Sequence, residues 1–311
     1  MTDPDAMHPV VAALRERPAG ARIALVVEGG GMRGSVSGGM ALGLDELGLR
    51  ESFDAAYGAS AGALNALWLL GGRIRDGMPT WTDPGLNREL ISWRRLFGRR
   101  PIVDVETLIE QRYEQLSPGL FGAVLASPTR LHPIATDVKS GAAVDLGPRI
   151  TDETSLRLAV RASATLPLLA GAPVEVGGAR YLDAGLSAAI PFHAAFSSGA
   201  THVLVLRSRR QGEVVTPSTG IGAKATTRLL ARIDPAVSHA FLSRADRETA
   251  DEALLAEHDR DPHRLPHVLQ VRPAPDSPVP GRLESDIGLI EAALEAGRQA
   301  VHEALGQTAP D

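Results

Sequence analysis

Gly58-Ala59-Ser60-Ala61-Gly62 lies between a short apolar stretch, residues 53–57, and an apolar, helix-like run, Ala61–Leu70. The pattern Gly-x-Ser-x-Gly at a strand-to-helix junction is a nucleophile elbow. The serine is held on a sharp turn with its hydroxyl exposed. The glycines Gly58 and Gly62 let the backbone turn and let a neighbouring strand come close. A serine so placed attacks an ester, thioester or amide carbonyl, so Ser60 points to acyl transfer or hydrolysis.

Upstream of the elbow, Ile23–Val27 reads as a buried strand, and Gly29-Gly30-Gly31-Met32-Arg33-Gly34 follows it almost at once. Apolar spacing over residues 35–47 predicts a helix next. A glycine loop between a strand and a helix gathers backbone N–H groups and a helix N-terminus, which stabilises an anion. That anion is either the oxyanion of an acyl-transfer intermediate or the pyrophosphate of a dinucleotide. The dinucleotide reading, a nucleotide-binding oxidoreductase, needs an acid about 20 residues on at a strand end. Asp54 has the distance but precedes its strand, and the following element is the Ser60 elbow, which a nucleotide site does not need. Arg33 is read as a cation that supports the oxyanion loop or faces a lipid phosphate.

The order strand, glycine turn, helix, strand, elbow, helix implies a mainly parallel sheet covered by helices, a three-layer α/β/α domain. Further strands are expected at 131–136, with a hairpin partner at 142–146, and at Ala179–Asp183, His202–Leu206 and 268–271. Helices are expected at 155–162, over most of 221–255 with a break at Pro235, and at Ile287–Leu305. Residues 1–20 read as a polar tail with a short helix at 8–17, and 21–311 as a single domain. The Pro-, Gly- and Arg-rich stretch 71–130 is its candidate lid.

Composition narrows the function. The 311 residues are 44% apolar and 22% charged, which is ordinary for a globular protein able to bury a large core. A formal net charge of −5 argues against a nucleic-acid binder. The absence of cysteine excludes disulfides, thiolate metal sites and a cysteine nucleophile. No signal peptide and no transmembrane run is legible, so a cytoplasmic protein is expected. Trp93-Arg94-Arg95-Leu96-Phe97-Gly98-Arg99-Arg100 reads first as a helix end with Trp93 and Phe97 packed inward and the arginines solvated. Its second reading is an interfacial segment that makes transient contact with an anionic membrane surface.

Ser60 needs a base. His132, His193, His202, His239, His258, His263, His267 and His302 follow it, and none has a local setting that marks a catalytic base. Asp183 stands at the end of a short strand, before Gly185. Strand-end acids can face a crevice shared with an elbow serine, although turn aspartates are also very common. Ser163 and Pro167 are expected to shape a turn beside the site, Asp137 to support the fold, and Arg207, Arg209 and Arg210, beyond a strand end, to be solvated rather than to line the crevice.

Taken in order, four blocks resemble the patatin-like phospholipase family. They are Gly29-Gly30-Gly31-Met32-Arg33-Gly34, Gly58-Ala59-Ser60-Ala61-Gly62, Ala162-Ser163-Ala164-Thr165-Leu166-Pro167 and Asp183-Ala184-Gly185. Ala135-Thr136-Asp137 with Gly141 is similar to the family's central strand and turn. Arg282-Leu283-Glu284-Ser285-Asp286 is similar to bacterial members. The resemblance implies a lipid acyl hydrolase that cleaves phospholipid or lysophospholipid esters with a Ser–Asp dyad and no histidine. Ser60 is then the nucleophile and Asp183 the base. The Gly29, Gly30 and Gly31 amides, helped by the loop through Met32, Arg33 and Gly34, form the oxyanion hole. No metal or organic cofactor is implied. The third block departs from the family's usual Asp-Gly-Gly or Asp-Gly-Ala only at Ala184.

Overall fold

The computed structural model describes residues 7–98, 100–213 and 220–306. Ile23–Val27 forms β1, and all five of its residues are buried. A strand covered on both faces has no polar alternation, so it reads as one apolar run. β1 pairs in parallel with β2 (Ala55–Ala59) and with β7 (His202–Leu206). β3 (Arg130–Asp137) and β8 (His267–Val271) extend the parallel set outward. β4 (Ala143–Asp145), β5 (Val174–Val176) and β6 (Ala179–Asp183) complete an eight-stranded sheet through antiparallel pairs.

Alternate residues of β1 serve two cores. Ile23, Leu25 and Val27 pack against the layer holding the helices Gly34–Glu46, Ala61–Leu70 and Ile287–Leu305. Ala24 and Val26 pack against Phe192–Ser197 and Leu255 of the helix Arg244–Arg260. The sheet therefore carries helices on both faces, as its strand–helix order predicts. The helix Ala61–Leu70 is buried at every position. Its sequence is accordingly apolar on nearly every side rather than striped, with Asn65 the one polar side chain, held by hydrogen bonds to the Gly34 carbonyl and from Trp81 Nε1.

Two stretches are more integrated than their composition suggests. The helix Pro9–Glu16 is not a loose tail, because Val10, Val11, Ala13 and Leu14 bury one face in the main core. His8 caps it, its Nδ1 accepting the Val10 N–H at 3.1 Å. The candidate lid, 71–130, consists of short helical pieces whose Ile74, Leu90, Ile109, Tyr113 and Phe121 are buried. Tyr113 meets Trp68 of the elbow helix edge-on, with ring centroids 4.8 Å apart. Among the described residues no helix is long and apolar enough to cross a membrane.

One detail of the sheet brings the site together. The Arg130 N–H bonds to the Asp54 carbonyl ahead of β2, and the Val138 N–H bonds to the Arg180 carbonyl of β6. Residues an even number apart on an extended strand point their N–H groups the same way. β2 and β6 therefore use the same edge of β3, approached from opposite ends. β4 takes the other edge, where the Asp137 N–H bonds to the Ala142 carbonyl. β2 ends with Ala59 opposite Ile134, and β6 ends with Asp183 opposite Ala135. The two strand tips meet over the middle of β3.

Candidate active site

Ser60 occupies the tip of β2 with φ +53° and ψ −126°. A side chain at positive φ crowds the backbone, and such strain persists only where surrounding structure enforces it. Close packing enforces it here. A Cβ on Gly58 would lie 2.4 Å from the Ala63 Cα, and one on Gly62 would lie 2.3 Å from the Val27 carbonyl oxygen. Ser60 caps the elbow helix, so the positive end of that helix lies beside its hydroxyl. Ser163 locks the junction from the last turn of the helix Glu153–Ala164. Its Oγ accepts the Ser60 N–H at 3.0 Å and donates to the Ile134 carbonyl at 2.5 Å. Ser163 thus does shape the site, but from a helix and not from a turn.

Asp183, at the tip of β6, is 3% exposed. Its Oδ1 accepts the Gly185 N–H at 2.7 Å, while its Oδ2 is buried without a hydrogen-bond partner. The backbone is held on both sides: the Asp183 N–H donates to the Thr165 carbonyl, and the Asp183 carbonyl accepts from Thr136 Oγ1. Burial pushes the carboxyl above its usual pKa, and the Ser60 hydroxyl and Gly185 N–H offset only part of this. The Ser60 hydroxyl is therefore close enough to favour the charged form, although Oδ2 completes no hydrogen bond with it.

The glycine loop divides its amides. The Gly29 N–H donates to the Ala189 carbonyl at 3.0 Å, and the Met32 N–H to the Arg282 carbonyl at 3.0 Å. The Arg33 N–H is turned back to the Gly30 carbonyl, and the Gly34 N–H to the Gly31 and Met32 carbonyls. Among the described residues only the Gly30 and Gly31 N–H groups of the loop have no acceptor. Gly31 has φ +61°, and a Cβ there would strike the Arg282 carbonyl at 2.4 Å. The Gly29 amide, expected among the oxyanion donors, is thus already committed. Arg33 pairs with Glu213 at 3.1 Å and lines neither cavity that contains Ser60.

An ion network buried beneath the loop corrects the reading of Arg207 and Arg209 as solvated. Arg207 is fully buried and donates to Glu28 at 2.9 Å, with further bonds to Glu252 and Gln270. Burial alone would lower its pKa, but the Glu28 and Glu252 charges more than offset that and raise it. Arg209 donates to Glu248 at 2.5 Å. Ser208 completes the anchor: its N–H donates to Glu28 and its hydroxyl to the Gly29 carbonyl. Fixed dipoles need such support, because a donor that can swing away stabilises less charge.

Two cavities meet at Ser60. One, of about 90 Å³, runs under the 71–130 stretch between Trp81, Leu90, Val103, Val105, Leu108 and Tyr113. The other, of about 250 Å³, holds Ser60, Asp183 and Gly29 to Gly31 together with Arg244 and Arg282. No histidine lines either. Asp137 accepts from Ser140 in the β3–β4 turn, a fold role as expected. Asp54 accepts the Ile23 N–H at 2.7 Å and pairs with Arg17, away from the glycine loop, so the dinucleotide reading loses its acid. In the Trp93 stretch Arg94 and Arg100 are exposed as the first reading expects, and the departures are at Trp93 and Arg95. Trp93 is 57% exposed, whereas Arg95 turns back to the Glu89, Leu90 and Pro101 carbonyls. The side chains of Leu96 and Phe97, and Arg99 altogether, lie outside the described residues.

Sequence reasoning missed Arg244 as a wall of the site. Only the fold brings it there, because its helix follows the last site motif by many residues. Arg282 was legible only as part of a family-like block.

This geometry defines a mainly parallel α/β fold with an elbow serine and a strand-tip aspartate in one cavity. The model for patatin-like phospholipases matches residues 25–196, and the chain belongs to that family. It is 30% identical to the uncharacterized NTE family proteins Mb2594 of Mycobacterium bovis and Rv2565 of Mycobacterium tuberculosis, over 96% of this chain and 49% of theirs. It is also 30% identical to the uncharacterized protein YjjU of Escherichia coli, over 63% of this chain and 54% of that one. The chain thus spans about half the length of the curated relatives it matches. VipD of Legionella pneumophila aligns with a TM-score of 0.43 at 12% identity, over 92% of this chain and 67% of that structure.

Proposed function

We propose that the chain is a serine acyl hydrolase that cleaves the acyl ester of a phospholipid or lysophospholipid with the dyad Ser60 and Asp183. The buried, unpartnered Asp183 Oδ2, in one cavity with a strained Ser60, carries this reading. Ser60 Oγ attacks the acyl carbonyl and passes its proton to Asp183. The Gly30 and Gly31 N–H groups receive the oxyanion, and the elbow helix adds its positive end. The leaving alcohol takes the proton back from Asp183. Water then attacks the acyl-enzyme as Asp183 accepts a proton again, which releases the fatty acid and restores Ser60. A carboxylate is a weak base for an alcohol in water. It serves here because water is largely excluded and the developing charge meets fixed dipoles. The apolar cavity beneath 71–130 receives the acyl chain, with that stretch as its roof.

A fluorophosphonate probe tests this directly. Mass mapping is expected to find the label on the peptide that contains Ser60, and Asp183→Asn to remove it. A folded wild type that stays unlabelled, or a label on another serine, overturns the assignment.

Contact with a membrane surface is the second part of the proposal, supported by exposed Trp93 beside exposed Arg94. An aromatic ring next to a cation suits the interface of an anionic bilayer. Trp93→Ala is expected to weaken co-sedimentation with phosphatidylglycerol vesicles severalfold. Equal binding by the variant removes this segment from the contact.

A further inference from the structure

The cavity shared by Ser60 and Asp183 carries more positive charge than the dyad chemistry uses. Arg282 is exposed and forms no ion pair or side-chain hydrogen bond among the described residues, and it lines both cavities that meet at Ser60. Its place is fixed by its own backbone, because the Arg282 carbonyl accepts the Met32 N–H of the glycine loop. Arg244 lines the same cavity from the start of the helix Arg244–Arg260, with its guanidinium 5.3 Å from the centre of the Phe241 ring. The two arginines are near neighbours. Arg244 is pushed below its usual pKa, first by burial and next by the charge of Arg282. Arg244 Nε lies 3.6 Å from Glu248 Oε1, but among the described residues Asp183 is the only carboxylate that lines this cavity.

We propose that Arg282 and Arg244 form a subsite for an anionic phosphate, so that the enzyme prefers acyl esters bearing a phosphate with no attached cation over zwitterionic and neutral ones. This inference rests on the hydrolase reading and adds a head-group preference to it. With the acyl chain in the apolar cavity and the ester carbonyl at Ser60, the rest of the substrate extends into the cavity that holds both arginines. A phosphate there accepts charge-assisted hydrogen bonds from guanidinium groups, which suit its geometry. A choline or ethanolamine group finds the opposite. Among the described residues Phe241 is the one aromatic ring in the wall, and Arg244 already lies over one of its faces, so the wall offers no aromatic cage for an ammonium group. Arg282 is a specificity residue in this scheme. It takes no part in proton transfer.

The test compares kcat/KM below the aggregation limit for three substrates with the same acyl chain: a lysophosphatidate, a lysophosphatidylcholine and a monoacylglycerol. The wild type is expected to favour the lysophosphatidate. Arg282→Gln is expected to cut its preference over the monoacylglycerol by about tenfold or more, the size of one lost hydrogen bond to a charged group. Arg282→Lys, which keeps the charge, is expected to recover part of the ratio. A ratio that Arg282→Gln leaves unchanged overturns the subsite. Failure of the wild type to hydrolyse any of the three overturns the underlying hydrolase reading instead. Inorganic phosphate separates the two sources of the anion. If it alters monoacylglycerol turnover in an Arg282-dependent way while the lysophosphatidate is not preferred, the pair binds free phosphate and the head-group role is wrong.

Discussion

Ser60→Ala is expected to leave a folded protein whose kcat/KM for a lipid ester has fallen by about 10³-fold or more, the scale on which loss of a nucleophile acts. The oxyanion donors and the acyl cavity survive the change, so the residual rate measures what they achieve without covalent catalysis. A loss of less than about tenfold excludes Ser60 as nucleophile. The elbow geometry adds a second expectation, in stability. Ala retains a Cβ at φ +53°, whereas Gly does not. Backbone strain of this kind costs about 1–3 kcal/mol, and the extra freedom of glycine in the unfolded chain offsets about 0.5–1 kcal/mol of the relief. Ser60→Gly is therefore expected to be more stable than Ser60→Ala, although both are inactive. Urea denaturation of the two variants decides this. A glycine variant less stable than the alanine variant means that the elbow stores no strain at this residue.

The parallel core was legible because its strands are buried on both faces and written as unbroken apolar runs, β1 and β7 above all. The elbow was legible because Gly58 and Gly62 face backbone atoms that leave no room for a side chain. Such steric demands write themselves into local sequence. What stayed hidden depends on distant partners. Nothing local tells a buried arginine from a solvated one, and Arg207 is buried only because Glu28 and Glu252 arrive from elsewhere in the chain to neutralise it. The helix Pro9–Glu16 was legible within 8–17, but its burial was not, because its apolar face is only one turn or so long and depends on a core built by later residues. The split among the glycine-loop amides was equally out of reach. It follows from where the Ala189 and Arg282 carbonyls come to rest.

Asp183→Asn is expected to abolish turnover and to raise the melting temperature, an opposition that distinguishes a catalytic base from a structural carboxylate. A turn aspartate that holds the fold through its charge loses stability on neutralisation. Asp183 is different, because its carboxylate is buried, only Oδ1 is hydrogen-bonded and its pKa is raised. Asparagine can keep the Oδ1 bond to the Gly185 N–H while removing the buried charge. The sign follows from linkage. A folded pKa above the unfolded one means that the native state binds the proton more tightly, so wild-type stability declines as pH rises from the ordinary aspartate range through the folded pKa. Above that window the penalty is fully present, at about 1.4 kcal/mol for each unit by which the pKa is raised. The advantage of the asparagine variant is thus expected at neutral pH and to shrink in acid. Activity runs the other way. Asp183 must be ionised to accept the Ser60 proton, so wild-type kcat/KM falls on the acid side with a midpoint above the usual carboxylate value. Loss of this base is expected to cost about 10²–10⁴ in rate. Thermal melts and rate profiles over the same pH series test both halves together. If Asp183→Asn lowers the melting temperature, or if the acid limb sits at an ordinary carboxylate pKa, then Asp183 is not the desolvated base that this mechanism requires.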